Sequence, residues 1–178
     1  MKNSKIYAIV AVEENFGIGQ RGSIPWDLKN DMSHFKKITT TTQDPTKQNG
    51  VFMGRTTWLS LPEKHRPLIR RKNIILTREG EEPPDTKGCE VKYSPESAIE
   101  ALKADDSVET IFVIGGASIY KYSVENLDLD GVYITKIHKS YECDTFFPRI
   151  PNDKYNVEHK LGEAEENGIK IEYFLYTK

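Results

Sequence analysis

An acid set inside an apolar helical stripe is the first sign of chemistry in this chain. Leu28, Met32, Phe35 and Ile38 recur at helical spacing, the pattern of a face turned toward a core. Asp31 lies three residues after Leu28 and four before Phe35, inside that face. A carboxyl placed there loses water, which disfavours its charged form and raises its pKa unless a cation pairs with it. Such a group can hold a proton near neutral pH and deliver it as a general acid. With a helix start near Asp27, the macrodipole's favour for a carboxylate has mostly faded by residue 31. Trp26, directly after Pro25, suits either a core aromatic or a wall of the same site.

A second group suits an anion. Gly54-Arg55-Thr56-Thr57, Thr77-Arg78, Gly115-Gly116-Ala117-Ser118 and Thr135 sit at the ends of apolar, β-branched runs. Open parallel sheets bind ligands beyond the carboxyl ends of their strands, near helix N-termini. Glycine there lets backbone approach a ligand, and the following amides point at it; Arg55 and Arg78 add two cations. Gly17-Ile18-Gly19-Gln20-Arg21-Gly22 matches G-x-G-x-x-G, but that fingerprint needs a helix to begin inside it. Ser23-Ile24-Pro25 follows instead, and proline biases its predecessor away from helix. The segment reads as a glycine-hinged loop of about ten residues able to cover a ligand. Arg70-Arg71-Lys72, just before a strand, suits a carboxylate clamp but reads better as a solvated charge run, Tyr120 as packing, and Asp144-Thr145 as an ordinary turn. Phosphate-loop, nucleophile-elbow and HExxH motifs are missing, so kinase, serine-hydrolase and zincin chemistry find no support.

The elements that must position these groups follow from pattern. Strands are expected at Ile6–Val12, Gly50–Met53, Asn73–Thr77, Glu90–Tyr93, Thr110–Ile114, Val132–Ile137, Tyr155–Leu161 and Ile169–Tyr176. Continuous apolar runs such as Ile6–Val12 suit central parallel strands covered on both faces. Helices are expected at Leu28–Ile38, Thr56–Leu61, Pro95–Lys103 and Ala117–Val124, with Ser94-Pro95-Glu96 a good start for the third. The alternation predicts an α/β fold: a single domain over residues 1–178 with a central, mostly parallel eight-stranded sheet and about four flanking helices. The last two strands, joined by Gly162–Gly168, should form an antiparallel C-terminal hairpin.

Composition narrows the class. With 178 residues, 37% hydrophobic and 29% charged, the chain suits one soluble domain. A formal net charge of -2 gives no general pull toward nucleic acid or anionic membrane, so phosphate binding must rest on local cations. Cys89 and Cys143 lack CxxC spacing, and His34, His65, His138 and His159 form no ligand motif; no metal is expected and a reduced, cytoplasmic setting is. Met1-Lys2-Asn3-Ser4-Lys5 leads into only seven apolar-rich residues, too few for a signal peptide or membrane span.

In chain order, Ile9-Val10-Ala11, Gly17-Ile18-Gly19, Pro25-Trp26, Asp31, Phe35, Met53-Gly54-Arg55-Thr56-Thr57-Trp58 and Arg66-Pro67-Leu68 are followed by Arg71, Asn73, Ile114-Gly115-Gly116, Tyr120, Thr135 and Asp144-Thr145-Phe146-Phe147-Pro148. This ordered set resembles dihydrofolate reductase over nearly the whole chain. Lys47-Gln48-Asn49, Leu61-Pro62-Glu63-Lys64 and the length look like its longer eukaryotic form. The resemblance implies reduction of 7,8-dihydrofolate to 5,6,7,8-tetrahydrofolate with NADPH, in support of one-carbon metabolism, by a monomer that antifolates inhibit. It implies that Asp31 binds the pterin's amino group and ring nitrogen, that Thr135 bonds its carboxylate, and that protonation runs through water near Trp26. Tyr120 joins that catalytic group. Ile9 and Ile114 offer carbonyls to the ring, Phe35 and Ile24 wall it, and Val10, Met32, Leu61 and Leu68 complete the substrate set. Arg71 holds the glutamate carboxylate, a geometry that favours guanidinium. Arg55, Thr57, Thr77 and Arg78 grip the cofactor's phosphates, two arginines suiting a 2′-phosphate. Ala11, Ile18, Gly19, Gly54, Thr56, Leu76, Gly115, Gly116, Ala117, Ser118, Ile119 and Tyr120 line its path. Asp144 accepts amide hydrogen bonds from around Gly19. Met32, His65 and Thr56 stand where the family often has an aromatic, an asparagine and a basic residue, departures that bear on inhibitor preference and cofactor affinity. A riboflavin-precursor reductase of the same fold and a non-catalytic binding module are the rival readings. Asp31 and Arg71 count against the first, and retention of Asp31, Trp26, Thr135 and both glycines against the second.

Overall fold

The β-branched runs pair into one sheet in the computed structural model, which describes residues 3–178; Met1 and Lys2, the start of the stretch leading into the first strand, lie outside them. The strands are β1 (Ile6–Val12), β2 (Gly17–Gly19), β3 (Gln48–Gly54), β4 (Arg71–Leu76), β5 (Glu90–Lys92), β6 (Val108–Val113), β7 (Gly131–Ile137), β8 (Thr145–Phe146), β9 (Val157–Glu166) and β10 (Ile169–Thr177). Four α-helices, α1 (Lys29–Thr40), α2 (Arg55–Ser60), α3 (Pro95–Ala104) and α4 (Ala117–Asn126), connect them. The main sheet runs β5-β4-β3-β6-β1-β7-β10-β9. From β5 to β7 every pairing is parallel, and β10 pairs antiparallel with both β7 and β9.

Burial follows the strand alternation. β1 is covered on both faces, as a central strand between parallel neighbours must be. Ile74, Leu102, Val124 and Ile134 pack with α3 and α4 on one side, while Ile9, Val51, Trp58 and Ile75 pack with α1 and α2 on the other. Each such side chain taken from water contributes roughly 1.5–3 kcal/mol. α3 begins as its sequence suggests: Ser94 accepts from the Ser97 amide in a capping box, with Pro95 opening the helix.

Three details depart from the sequence reading. The hairpin link is Asn167-Gly168 alone, both at positive φ (53° and 76°), the backbone of a tight two-residue turn. β9 therefore runs on through Gly162, which pairs with Tyr173, and it starts at Val157 instead of Tyr155. The glycine loop is not wholly irregular, because β2 pairs antiparallel with β8: Gly17 faces Phe146 and Gly19 faces Thr145. The Asp144-Thr145 turn is thus the loop's docking partner. Finally, α1 starts at Lys29 with Leu28 as its cap residue, which puts Asp31 in the first turn.

Two buried asparagines fix functional segments. The Asn73 side chain bonds the Leu68 amide and carbonyl and the Arg71 carbonyl, setting the turn that feeds Arg71 into β4. Asn49 donates to the Thr39 and Thr41 carbonyls and accepts from the Thr110 amide, tying the end of α1 to the sheet.

Candidate active site

Asp31 is 7% exposed, and the Trp26 indole nitrogen donates to its Oδ2 at 3.0 Å. Burial raises its pKa from 3.8 to about 6; the Trp26 bond opposes the shift and the nearby charge of Glu166 adds to it. The expected distance from the macrodipole does not hold, since a first-turn carboxylate is favoured by the helix. Desolvation nevertheless wins. Among the described residues the expected Thr135 hydrogen bond to this carboxylate is not formed; Thr135 lies buried on β7, and Trp26 bonds the acid directly. Tyr120 is buried and donates to the Ile9 carbonyl at 2.7 Å. Burial and the Asp31 charge push its phenol above the ordinary range, so it stays protonated and acts as a fixed donor.

The buried stripe of α1 is Leu28, Asp31 and Thr39, with Phe35 and Ile38 half-buried. Met32 is 54% exposed, a correction to its place in the inward face. Ile24 is as exposed as Met32. Large apolar side chains left in water beside a buried acid mark a ligand surface. Leu68, Ile9 and Ile114 share one apolar cluster with Phe35 and Leu61 packed against it. Val10 alternates to the opposite face, in the other cluster, and reaches the wall of the cavity described below.

Arg71 is not the solvated charge its run suggests. It is 8% exposed because β4 carries it into the sheet. Its guanidinium donates to the Ile69 carbonyl at 2.9 Å and to Thr39 Oγ1 at 3.0 Å and lies over the Phe35 ring. Burial and neighbouring Arg70 lower its pKa to about 10, leaving it charged at neutral pH. No carboxylate pairs with it among the described residues. A buried cation with only neutral partners is poised for an anion from outside.

A cavity of about 740 Å³ opens at the carboxyl ends of the parallel strands, where open α/β sheets bind ligands. All of the expected cofactor residues line it: Ala11, Ile18 and Gly19; Gly54 through Thr57; Leu76 through Arg78; and Gly115 through Tyr120. From the other expected sets, Val10, Ile24, Trp26 and Ile114 also line it, while Asp31, Met32, Phe35, Leu61, Leu68, Arg71, Thr135 and Ile9 do not. The cradle suits a diphosphate. No side chain caps α2 or α4, so their first amides face the cavity unclaimed. Gly115 has φ 123° and its added Cβ would stand 3.3 Å from Thr57 Oγ1 and from Tyr120; only glycine fits there. Glu81, Tyr93 and Ser94 line it too; sequence pattern alone presented them as loop, strand end and helix cap.

One wall is the glycine loop. Asp144 Oδ2 accepts from the Arg21 amide at 2.8 Å, and the Asp144 amide donates to the Gly19 carbonyl at 3.0 Å. At the loop's base, buried Glu13 accepts from the amides of Asn15 and Gly17, each at 2.7 Å, and of Tyr141 at 3.1 Å. Nothing in the local pattern of Glu13-Glu14 signals this role, because its partners come from the loop's fold.

Compared with known proteins, the family model for dihydrofolate reductase matches residues 5–178. The chain is 43% identical to the dihydrofolate reductase of Drosophila melanogaster over 174 residues, covering 96% of each. It is 40% identical to that of Sus scrofa, again over 96% of each. It is also 40% identical to the bifunctional dihydrofolate reductase-thymidylate synthase of Daucus carota, covering 96% of this chain and 33% of that one.

Proposed function

The chain belongs to the dihydrofolate reductase family, and from that premise we propose that Asp31 is its acid, Arg71 its substrate clamp and the 740 Å³ cavity its NADPH site. The reaction reduces 7,8-dihydrofolate to 5,6,7,8-tetrahydrofolate, adding a hydride to ring carbon and a proton to the neighbouring nitrogen. NADPH, when bound, supplies the hydride. Gly54, the first amides of α2 and α4, and Arg55, Thr77 and Arg78 hold its phosphates. Asp31 accepts hydrogen bonds from the pterin's amino and ring N–H groups and, in its acid form, promotes protonation of the ring nitrogen through water near Trp26, which fixes its carboxyl; Ile24, Met32 and Phe35 wall the ring. Arg71 binds the glutamate carboxylate. The single observation that carries this reading is the Asp31 carboxyl, buried in the first turn of α1 and held by the Trp26 indole. The working form is a single-domain cytoplasmic monomer; the two free cysteines fit a reducing compartment. The test is loss of the NADPH absorbance band on adding dihydrofolate; an unchanged band at high enzyme concentration rejects the reading.

Arg55 and Arg78 should set cofactor choice. Each charge-assisted contact is worth about 1.5–3 kcal/mol, so Arg55→Ala or Arg78→Ala should weaken NADPH roughly 10- to 150-fold. NADH, which lacks the 2′-phosphate, should change little in fluorescence titration. Equal weakening of both cofactors would assign the arginines elsewhere.

The loop should respond to Asp144→Ala. Losing the Arg21 bond removes a tie between the loop and β8 and shifts the open–closed equilibrium toward the open form. Stopped-flow hydride transfer should slow and NADPH dissociate faster, with the melting temperature nearly unchanged. Unaltered hydride transfer would remove the loop's role as a cover.

A further inference from the structure

The first turn of α1 is held from the far end of the chain. Glu166, half-buried at the tip of the β9–β10 hairpin, accepts from the amides of Lys29 and Asn30 and from the Asn30 side chain, each at 2.8 Å. Leu28, the cap residue, offers no side-chain acceptor, so Glu166 takes a cap's place from 136 residues away. Tyr173 on β10 adds a second tie, donating to the Asn30 carbonyl at 3.2 Å while its ring stacks on His34 at 4.0 Å. Asp31 is the next residue on the turn so gripped.

We propose that Glu166 is a positioning residue for Asp31, one that fixes the first turn of α1 and keeps the Asp31 carboxyl in its acid form. This rests on the reading of Asp31 as the proton source. Two effects act in the same direction. A carboxylate on the leading amides offsets the positive helix end that would otherwise stabilise ionised Asp31. Its negative charge also opposes a second one nearby, in agreement with the direction of the Asp31 shift. The other groups facing this turn do not supply that charge. His34 on α1 is lowered to about 4 by burial and Lys37, so it is neutral at neutral pH. The phenols of Tyr173 and Tyr120 are raised and stay protonated, and the Trp26 indole does not titrate. Lys29 is the neighbouring cation, and it faces Glu166.

The test is a carbon-13 NMR titration of the Asp31 carboxyl in the full chain without ligands, assigned with Asp31→Asn, alongside the pH profile of single-turnover hydride transfer. In Glu166→Gln the Asp31 midpoint should fall by roughly half a pH unit, the size expected for one screened surface charge. Hydride transfer should keep its low-pH plateau and move with that midpoint. Glu166→Asp, which restores the charge on a shorter arm, should bring the midpoint back. An unmoved midpoint with a lower plateau or a raised KM makes Glu166 a structural prop and overturns the inference. A midpoint that falls while the rate profile stays put supports the clamp and removes Asp31 as the acid, so the two readings fail separately.

Discussion

Asp31→Asn is expected to fold and to lose hydride-transfer rate by roughly 10²–10⁴-fold, the usual cost of removing a positioned acid–base group. The amide still accepts the Trp26 hydrogen bond but has no proton to give. In the wild type the acid form predominates below a pKa of about 6, so the rate should fall as pH rises through that value and the variant's profile should be flat there. Stability should change in the opposite sense. The folded-state pKa lies above the ordinary 3.8, so Asp31 costs stability progressively as pH climbs from about 4 through about 6. The asparagine variant should therefore melt higher at pH 8, by up to ~3 kcal/mol in free energy for a shift of about two units, and equal the wild type near pH 3. Near-wild-type single-turnover rates in the variant would sink the assignment.

Arg71→Gln should be the second largest effect. The guanidinium is buried, charged and free of any acidic partner among the described residues, so a substrate carboxylate meets a donor already desolvated. Losing one side of such a pair costs about 2–5 kcal/mol, which lowers kcat/KM for dihydrofolate roughly 30- to 5,000-fold. The loss should sit in KM with kcat nearly kept, because the contact is the same in ground and transition states. A dihydropterin without the glutamate tail should be reduced equally well by both enzymes. If that truncated substrate suffers the same loss, Arg71 supports the fold through Thr39 and Ile69 and does not bind substrate.

How much of this was legible in sequence depends on the range of the interactions involved. The parallel strands announced themselves because a strand covered on both faces is a continuous apolar run, as in Ile6–Val12. The Ser94 cap was equally local. Asp31 stood out through the periodicity of its helix, although the helix starts at Lys29, one residue after the expected Leu28. Asp31 therefore lies within reach of the macrodipole, and burial outweighs that. Arg71 went the other way: its run reads as surface charge, and only the β4 register buries it. The long-range ties were invisible. Glu13 under the loop, the pairing of β2 with β8 and Glu166 on α1 join segments that sequence spacing does not relate.

A crystal structure of the protein with NADPH and a folate-type inhibitor should show the pyrophosphate against Gly54-Arg55-Thr56 and Gly116–Ser118, and the 2′-phosphate between Arg55 and Arg78. The pterin's amino group should sit on Asp31 and the glutamate carboxylate on Arg71. A pyrophosphate cradled by Gly17–Gly22, or a pterin ring seated away from Asp31, would overturn the assignment of the site.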